Sequence, residues 1–165
     1  FLVYLYWNTY IRQSNKYGAP FVPLEVEVVE EVMRLANIKQ GEVFYELGSG
    51  DGRLVIAAAL RGAKSFGVEI DILRVLYSRA WIILLRLQKN THILHKNFFN
   101  VDLKKADVVC LYLLQETNDA LEKKLEKELK KGCRVISVAF NFPHWKPKEV
   151  SPIGPIYGPT YYYER

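Results

Sequence analysis

Residues 24–36 set Val28, Val29, Val32, Met33, Leu35 and Ala36 at three-to-four spacing, a rhythm that predicts an amphipathic helix. Glu25, Glu27, Glu30 and Glu31 gather near its start, where the helix dipole favours carboxylates, and Lys39-Gln40-Gly41 ends it. Residues 42–47 then form a short β-prone run that leads straight into Gly48-Ser49-Gly50-Asp51-Gly52, after which 53–60 reads as an alanine-rich helix. Residues 64–70 read as a second strand with an acidic end. Residues 73–87 read as an apolar helix carrying Arg74, Arg79 and Arg86, too short and too charged to span a bilayer. A weak third strand is expected at 92–94, ahead of Asn97-Phe98-Phe99. The unbroken apolar run 106–114 has the pattern of a central strand buried on both faces. Residues 117–131 carry Leu121, Leu125 and Leu129 at i+4 steps, with Gly132 as the expected C-cap. A fifth strand at 133–140 and a last one around Tyr161-Tyr162-Tyr163, in the tail 152–165, complete the pattern. No internal repeat is present. Strands alternating with helices predict an α/β fold with a mostly parallel sheet and helices on both faces.

The 165-residue length fits one domain, and 50 % hydrophobic residues are enough to bury a core. Ahead of residue 24 the pattern differs. Tyr17 to Pro23 is rich in Gly and Pro, which makes it extended, and Phe1 to Trp7 is a run of apolar and aromatic residues. The chain therefore divides into an aromatic segment with a Pro-rich linker, 1–23, and a domain over 24–165. Two readings of the aromatic run stay open. In one, a first residue that is Phe rather than Met marks the last turns of a longer membrane helix, with Tyr4, Tyr6, Trp7 and Tyr10 as an interfacial belt before Arg12 and Lys16. In the other it is an aromatic helix packed on the domain.

A net charge of +5 allows an acidic partner or a membrane surface but does not point to nucleic acid, because the basic residues are dispersed. Lys123, Lys124, Lys127, Lys130 and Lys131 alternate with Glu122, Glu126 and Glu128, as on the solvated face of a helix. Cys110 and Cys133 fall in apolar, strand-like stretches without paired spacing, which suits a reducing compartment: the cytoplasm or the cytoplasmic face of a membrane. His92 and His95 read as surface residues, and no metal-ligand cluster is visible.

A strand that turns into a helix through glycines presents bare backbone amides to a ligand beyond the strand ends. Gly48, Gly50 and Glu69 should therefore converge on one crevice. The dinucleotide fingerprint needs a glycine at position 53, where this chain has Arg53. Glu46 would repel a pyrophosphate and attract an ammonium, while Glu69 is able to accept from two ribose hydroxyls. The loop and Glu69 resemble the first two motifs of class I S-adenosylmethionine (AdoMet)-dependent methyltransferases. Pro20-Phe21-Val22-Pro23, Glu46 through Arg53, Gly67-Val68-Glu69-Ile70, Asn97-Phe98-Phe99, Leu113-Leu114 and Leu125 through Leu129 followed by Gly132 are further phrases. They resemble the archaeal protein-lysine methyltransferases and a related mitochondrial group that methylates lysines of inner-membrane proteins. Two departures stand out: Leu24 where that family often has Thr, and Asn97 where class I enzymes often have Asp near the adenine.

The resemblance implies a Rossmann-like class I fold and an AdoMet site built from Glu46, Gly48, Ser49, Gly50, Asp51, Gly52, Glu69, Ile70, Asn97, Phe98 and Leu113. It also implies a protein substrate with an accessible lysine, and membrane association through the N-terminus. Tyr112, Leu113 and Leu114 after the fourth strand, and Phe140, Phe142 and Trp145 after the fifth, are the expected acceptor channel, since aromatics hold a cationic head and its aliphatic stem. His144 is a further candidate at the mouth, and Glu116 is a candidate proton acceptor. Tyr112-Leu113-Leu114-Gln115 lacks the Asn/Asp-Pro-Pro-aromatic motif that serves planar amino groups. A methyltransferase acting on RNA or a small molecule, and a nucleotide-binding module without catalysis, remain alternatives; a dehydrogenase ranks last because of Arg53.

Overall fold

The computed structural model describes residues 21–152 and 157–165. The aromatic run Phe1 to Trp7, with the rest of the chain up to residue 20, lies outside the described residues, and among those described no helix is long and apolar enough to cross a membrane. The elements run α1 (Val26–Ala36), β1 (Val43–Leu47), α2 (Arg53–Leu60), β2 (Lys64–Glu69), α3 (Ile72–Leu84), β3 (Thr91–His95), a single 3-10 turn (Phe98–Asn100), β4 (Val108–Leu111), α4 (Gln115–Glu128), β5 (Arg134–Val138), β6 (Glu149–Ser151) and β7 (Thr160–Glu164). They build one seven-stranded sheet in the order β3-β2-β1-β4-β5-β7-β6. Neighbours from β3 to β5 are parallel, and β7 pairs antiparallel with both β5 and β6.

Side-chain alternation explains why this sheet is covered on both faces. Phe44, Val108, Cys110, Ile136 and Val138 point to one side, into a core with α1 and α2. Leu47, Val109, Leu111 and Val135 point to the other, against Leu121 and Leu125 of α4. Helix α3 extends the α2 layer: Val75 and Ile82 pack with Val55 and Ile93. Strand order reverses between β1 and β4, which opens a crevice at their carboxyl ends. Cys110 lies on β4 and Cys133 just ahead of β5; both are buried and free, and burial raises both thiols' pKa, Cys133 to about 12.

Several boundaries differ from the sequence reading. The apolar run 106–114 is strand only over Val108–Leu111; Tyr112, Leu113 and Leu114 leave the sheet and lead into α4. Leu24 precedes α1 and is buried in its core. Asp71 caps α3, its carboxylate accepting from the Leu73 and Arg74 amides, so the helix starts at Ile72. Helix α4 ends at Glu128 with Leu129 as its C-cap, and Gly132, at φ +83°, forms a turn beyond it. Strand β6 has no alternation in the sequence and exists by pairing with β7.

The face of α4 is also less solvated than its charges imply. Glu122 is buried and accepts from the His144 amide at 2.9 Å and its Nδ1 at 2.8 Å. Lys124 donates to the Val101 carbonyl at 2.7 Å. Trp145, 8 % exposed, packs tilted against Phe142 (4.6 Å between centroids) and edge-on to Tyr163 (5.6 Å), and its Nε1 donates to Glu126 at 3.0 Å. The expected acceptor role of Trp145 gives way here to a core role on the α4 side of the sheet. Trp145→Phe is therefore expected to cost about 1–2 kcal/mol in urea unfolding, while methyl-transfer turnover on the acceptor, measured well below the unfolding midpoint, stays at the wild-type value. Turnover lowered about tenfold in the folded variant would return Trp145 to the acceptor channel.

Candidate active site

The cavity lies where β1, β2 and β4 end. Strand β1 delivers Glu46, and the Gly48 and Ser49 amides both donate to the Val68 carbonyl of β2, at 2.8 and 3.0 Å. This folds the chain sharply over the sheet edge. Gly48 and Gly50 adopt φ values of +79° and +53°, open to glycine with little strain. Space demands glycine too: a Cβ at Gly48 would stand 2.9 Å from Leu113, and one at Gly50 would stand 2.5 Å from the Phe21 ring.

Glu69 ends β2 and organises the loop. Its Oε2 accepts from the Gly50 amide at 2.8 Å, and its Oε1 accepts from the Ile70 and Asp71 amides, each at 2.8 Å. Glu46 is equally buried, yet its Oε2 has no hydrogen-bond partner among the described residues. Burial, reinforced by the Asp51 and Glu69 carboxylates, pushes the Glu46 carboxyl well above the usual range; the Val55 amide and Arg53 act weakly the other way. Arg53 grips Asp51 with its guanidinium and donates to the Leu24 carbonyl. It thereby ties the segment ahead of α1 to the glycine loop.

Phe21, Val22, Pro23 and Leu24 form one wall of the cavity, and Glu46, Gly48, Ser49, Gly50, Asp51 and Arg53 form its floor. Val68 through Asp71, Arg74, Phe98, Tyr112 and Leu113 complete it. The Arg74 guanidinium sits 5.0 Å from the centre of the Phe21 ring. Most of the residues expected for the cofactor thus meet in one place: Glu46, Gly48, Ser49, Gly50, Asp51, Glu69, Ile70, Phe98 and Leu113.

Gly52 and Asn97 do not join them. Gly52 precedes α2 and lets the loop pack on α3, where a Cβ would press within 3.1 Å of Ser78. Asn97 is exposed, and its side chain caps the 3-10 turn by accepting from the Phe99 amide at 2.9 Å. Of the expected acceptor channel, Tyr112 and Leu113 line the cavity, whereas Leu114 is 37 % exposed at the start of α4. Phe140 turns its carbonyl to Ser137 and Asn118, and Phe142 is buried beside Trp145. His144 is held by Glu122, and Glu116 is exposed, so neither reaches the wall. Sequence reasoning assigned no site role to Phe21, Arg53, Asp71 or Arg74. For Asp71 the signal was there: a carboxylate directly before an apolar helix is an N-cap.

Residues 46–149 match the family described as the ANTKMT methyltransferase domain. A protein-lysine N-methyltransferase of Saccharolobus islandicus is 41 % identical over 133 residues, spanning 79 % of this chain and 83 % of that protein. The adenine nucleotide translocase lysine N-methyltransferase of Mus musculus is 32 % identical over 142 residues, 84 % of this chain but 61 % of its own length. The solved structure of an RNA methyltransferase from Salinibacter ruber, in complex with S-adenosyl-L-homocysteine, is 32 % identical with a TM-score of 0.83, covering 87 % of this chain and 93 % of that one. The matching stretch takes in most of the chain, from the carboxylate ahead of the first glycine to the antiparallel edge, so the chain belongs to the ANTKMT methyltransferase domain family and is an AdoMet-dependent methyltransferase with the class I Rossmann-like fold.

Proposed function

We propose that this enzyme methylates the side-chain amine of lysine in a protein substrate. The observation that carries the reading is its likeness, over most of both chains, to the archaeal enzyme whose name gives that activity. The mouth of the cavity suits it. Tyr112 and Phe21 offer aromatic surface to an aliphatic stem and a cationic head, and Tyr157, edge-on to Tyr112 at 6.4 Å, holds Tyr112 in place. Tyr157 in turn donates to the Pro23 carbonyl at 3.3 Å, so the mouth and the N-terminal wall brace each other.

The residues present fit AdoMet. The buried Glu46 oxygen without a partner matches an ammonium, and Glu69 keeps one acceptor site, on Oε2, for a ribose hydroxyl beyond its three amide bonds. Gly48 and Gly50 let the backbone approach, Phe98 offers a ring face for adenine, and Ile70 and Leu113 give apolar contact. When bound, AdoMet supplies an electrophilic methyl on a sulfonium. Asp51 and Glu69 favour a cationic donor over a neutral product by their charge, and Glu46 joins them when an ammonium displaces its proton. Keeping a lysine amine neutral at pH 7 costs about 4.6 kcal/mol from its reference pKa of about 10.4. An apolar mouth beside a cation lowers that cost, so the wall needs no dedicated base.

The finer parts of the reading are a domain over 24–165 with an appended N-terminal segment, and a place beside a membrane. The relatives' names give different acceptors, adenine nucleotide translocase for the mouse protein and a component of ATP synthase for a human one, so the shared core does not fix the acceptor. The Salinibacter ruber structure, described as that of an RNA methyltransferase, favours RNA as a second reading. Incubating wild type and Tyr112→Ala with labelled AdoMet, protein extract and RNA separates them. Label is expected on protein lysine, with turnover lowered about tenfold or more by Tyr112→Ala at nearly unchanged AdoMet affinity. Label on RNA alone would sink the lysine reading.

A further inference from the structure

Helix α3 carries a surface that methyl transfer does not use. Its inner residues Val75, Ser78 and Ile82 are buried. Outside, Leu73, Leu76, Tyr77, Trp81, Ile83 and Leu84 are each between 41 % and 70 % exposed. Leu73, Leu76, Tyr77 and Leu84 recur at helical spacing, so these side chains form a stripe along the helix. A helix on a soluble domain normally turns its polar face outward; this one turns out leucine, tyrosine and tryptophan.

Beyond its cap Asp71, the chain that forms and follows the stripe carries charges of one sign. Between Asp71 and Asp102 the chain has no carboxylate side chain, but it has Arg74, Arg79, Arg86, Lys89 and Lys96. Arg79 turns inward to the Ile93 carbonyl, and Arg74 lies near Glu69 and Asp71. Arg86 and Lys89 beyond the end of α3, and Lys96 after the edge strand β3, are exposed. An apolar stripe bearing Trp and Tyr with a purely basic rim is complementary to an anionic phospholipid surface, where rings and aliphatic chains enter the headgroup layer and cations meet phosphates. An apolar groove on a protein partner would not require the rim to lack carboxylates.

The position of the stripe matters as much as its chemistry. The start of α3 belongs to the cavity wall through Asp71 and Arg74, and Phe21 lies against Arg74 beside the exposed Val22. We propose that the outer face of α3 docks on an anionic phospholipid surface, setting the mouth of the methyl-transfer cavity at that surface. The binding itself does not depend on which acceptor is methylated.

The test is cosedimentation of the full chain with vesicles of phosphatidylcholine containing about 30 % phosphatidylglycerol, against phosphatidylcholine alone. Wild type is expected to partition to the anionic vesicles. Leu76→Glu/Leu84→Glu should lower partitioning about tenfold or more, and Arg86→Gln/Lys89→Gln by roughly fivefold for each charge removed. Both variants are expected to keep wild-type AdoMet affinity, which shows that they are folded and separates this result from failure of the methyltransferase site. Wild type that ignores anionic vesicles would overturn the proposal. So would a Leu76→Glu/Leu84→Glu protein that binds them normally, since the contact would then be made elsewhere in the chain. Wild-type dimers that this variant dissolves, without vesicle binding, would reassign the face to a second copy.

Discussion

Glu46→Gln is expected to weaken AdoMet binding about a hundredfold while making the ligand-free protein more stable at and above neutral pH. Both effects come from one buried carboxyl. Its pKa is raised above the usual 4.5 by burial first, then by Asp51 and Glu69. The folded protein therefore holds a proton that the unfolded chain releases, from about pH 4.5 up to the raised value. In that window stability falls as pH rises, because the native state binds more protons than the unfolded state. Gln has nothing to ionise, so the slope disappears and the gain at pH 8 should be about 0.5–2 kcal/mol. Binding has the opposite sign. An ammonium pairs with the ionised carboxyl, so AdoMet uptake should release a proton from wild type and none from Glu46→Gln. Urea unfolding at pH 6 and 8, and calorimetry in two buffers of different ionisation enthalpy, read both effects. Equal proton release by the two proteins would remove Glu46 from the ammonium site.

The convergence of Glu46, the glycine loop and Glu69 on one cavity was legible in the sequence because its parts are local. Glu46 stands two residues ahead of Gly48, β1 and α2 have clear patterns on either side, and Glu69 closes the next strand. Residues joined only by tertiary contact were not legible. Trp145 sits in a polar, Pro-flanked stretch of sequence and is buried by Phe142, Tyr163 and Glu126. Glu122 looks like any helix-face carboxylate until the loop after β5 brings His144 to it. His144 gains a raised pKa from that hydrogen bond and from the Glu122 charge, so it steadies the loop most at low pH. Its contribution is full below the unfolded histidine value and fades as pH rises through the raised one. The run 106–114 misled in another way. One apolar alphabet serves both β4 and the cavity wall at Tyr112 and Leu113, and periodicity does not separate them. Helix α3 shows the same limit from outside: its apolar sequence does not tell which side chains are covered, and most of its large apolar residues face out.

Glu69→Gln should differ from Glu46→Gln in the sign of its stability effect, although both remove a buried carboxylate from one cavity. Glu69 already accepts three backbone amides, two at Oε1 and one at Oε2. A glutamine has a single acceptor oxygen. If that oxygen stays with the Ile70 and Asp71 amides, the side-chain NH2 meets the Gly50 amide donor to donor; flipped, it confronts the other two. At least one buried N–H loses its acceptor, which costs about 1–3 kcal/mol of folding stability. The Gly50 amide is the one that holds the glycine loop to β2, so the loop that must present bare backbone to the cofactor loosens with it. A glutamine also answers ribose hydroxyls with a weaker, uncharged acceptor. AdoMet affinity should therefore fall at least as far as in Glu46→Gln, while the urea midpoint moves down instead of up. Paired unfolding and calorimetry on the two variants compare these directly. A Glu69→Gln protein that binds AdoMet normally would mean that the ribose is held elsewhere; one with an unchanged midpoint would mean that the glycine loop does not rely on this carboxylate.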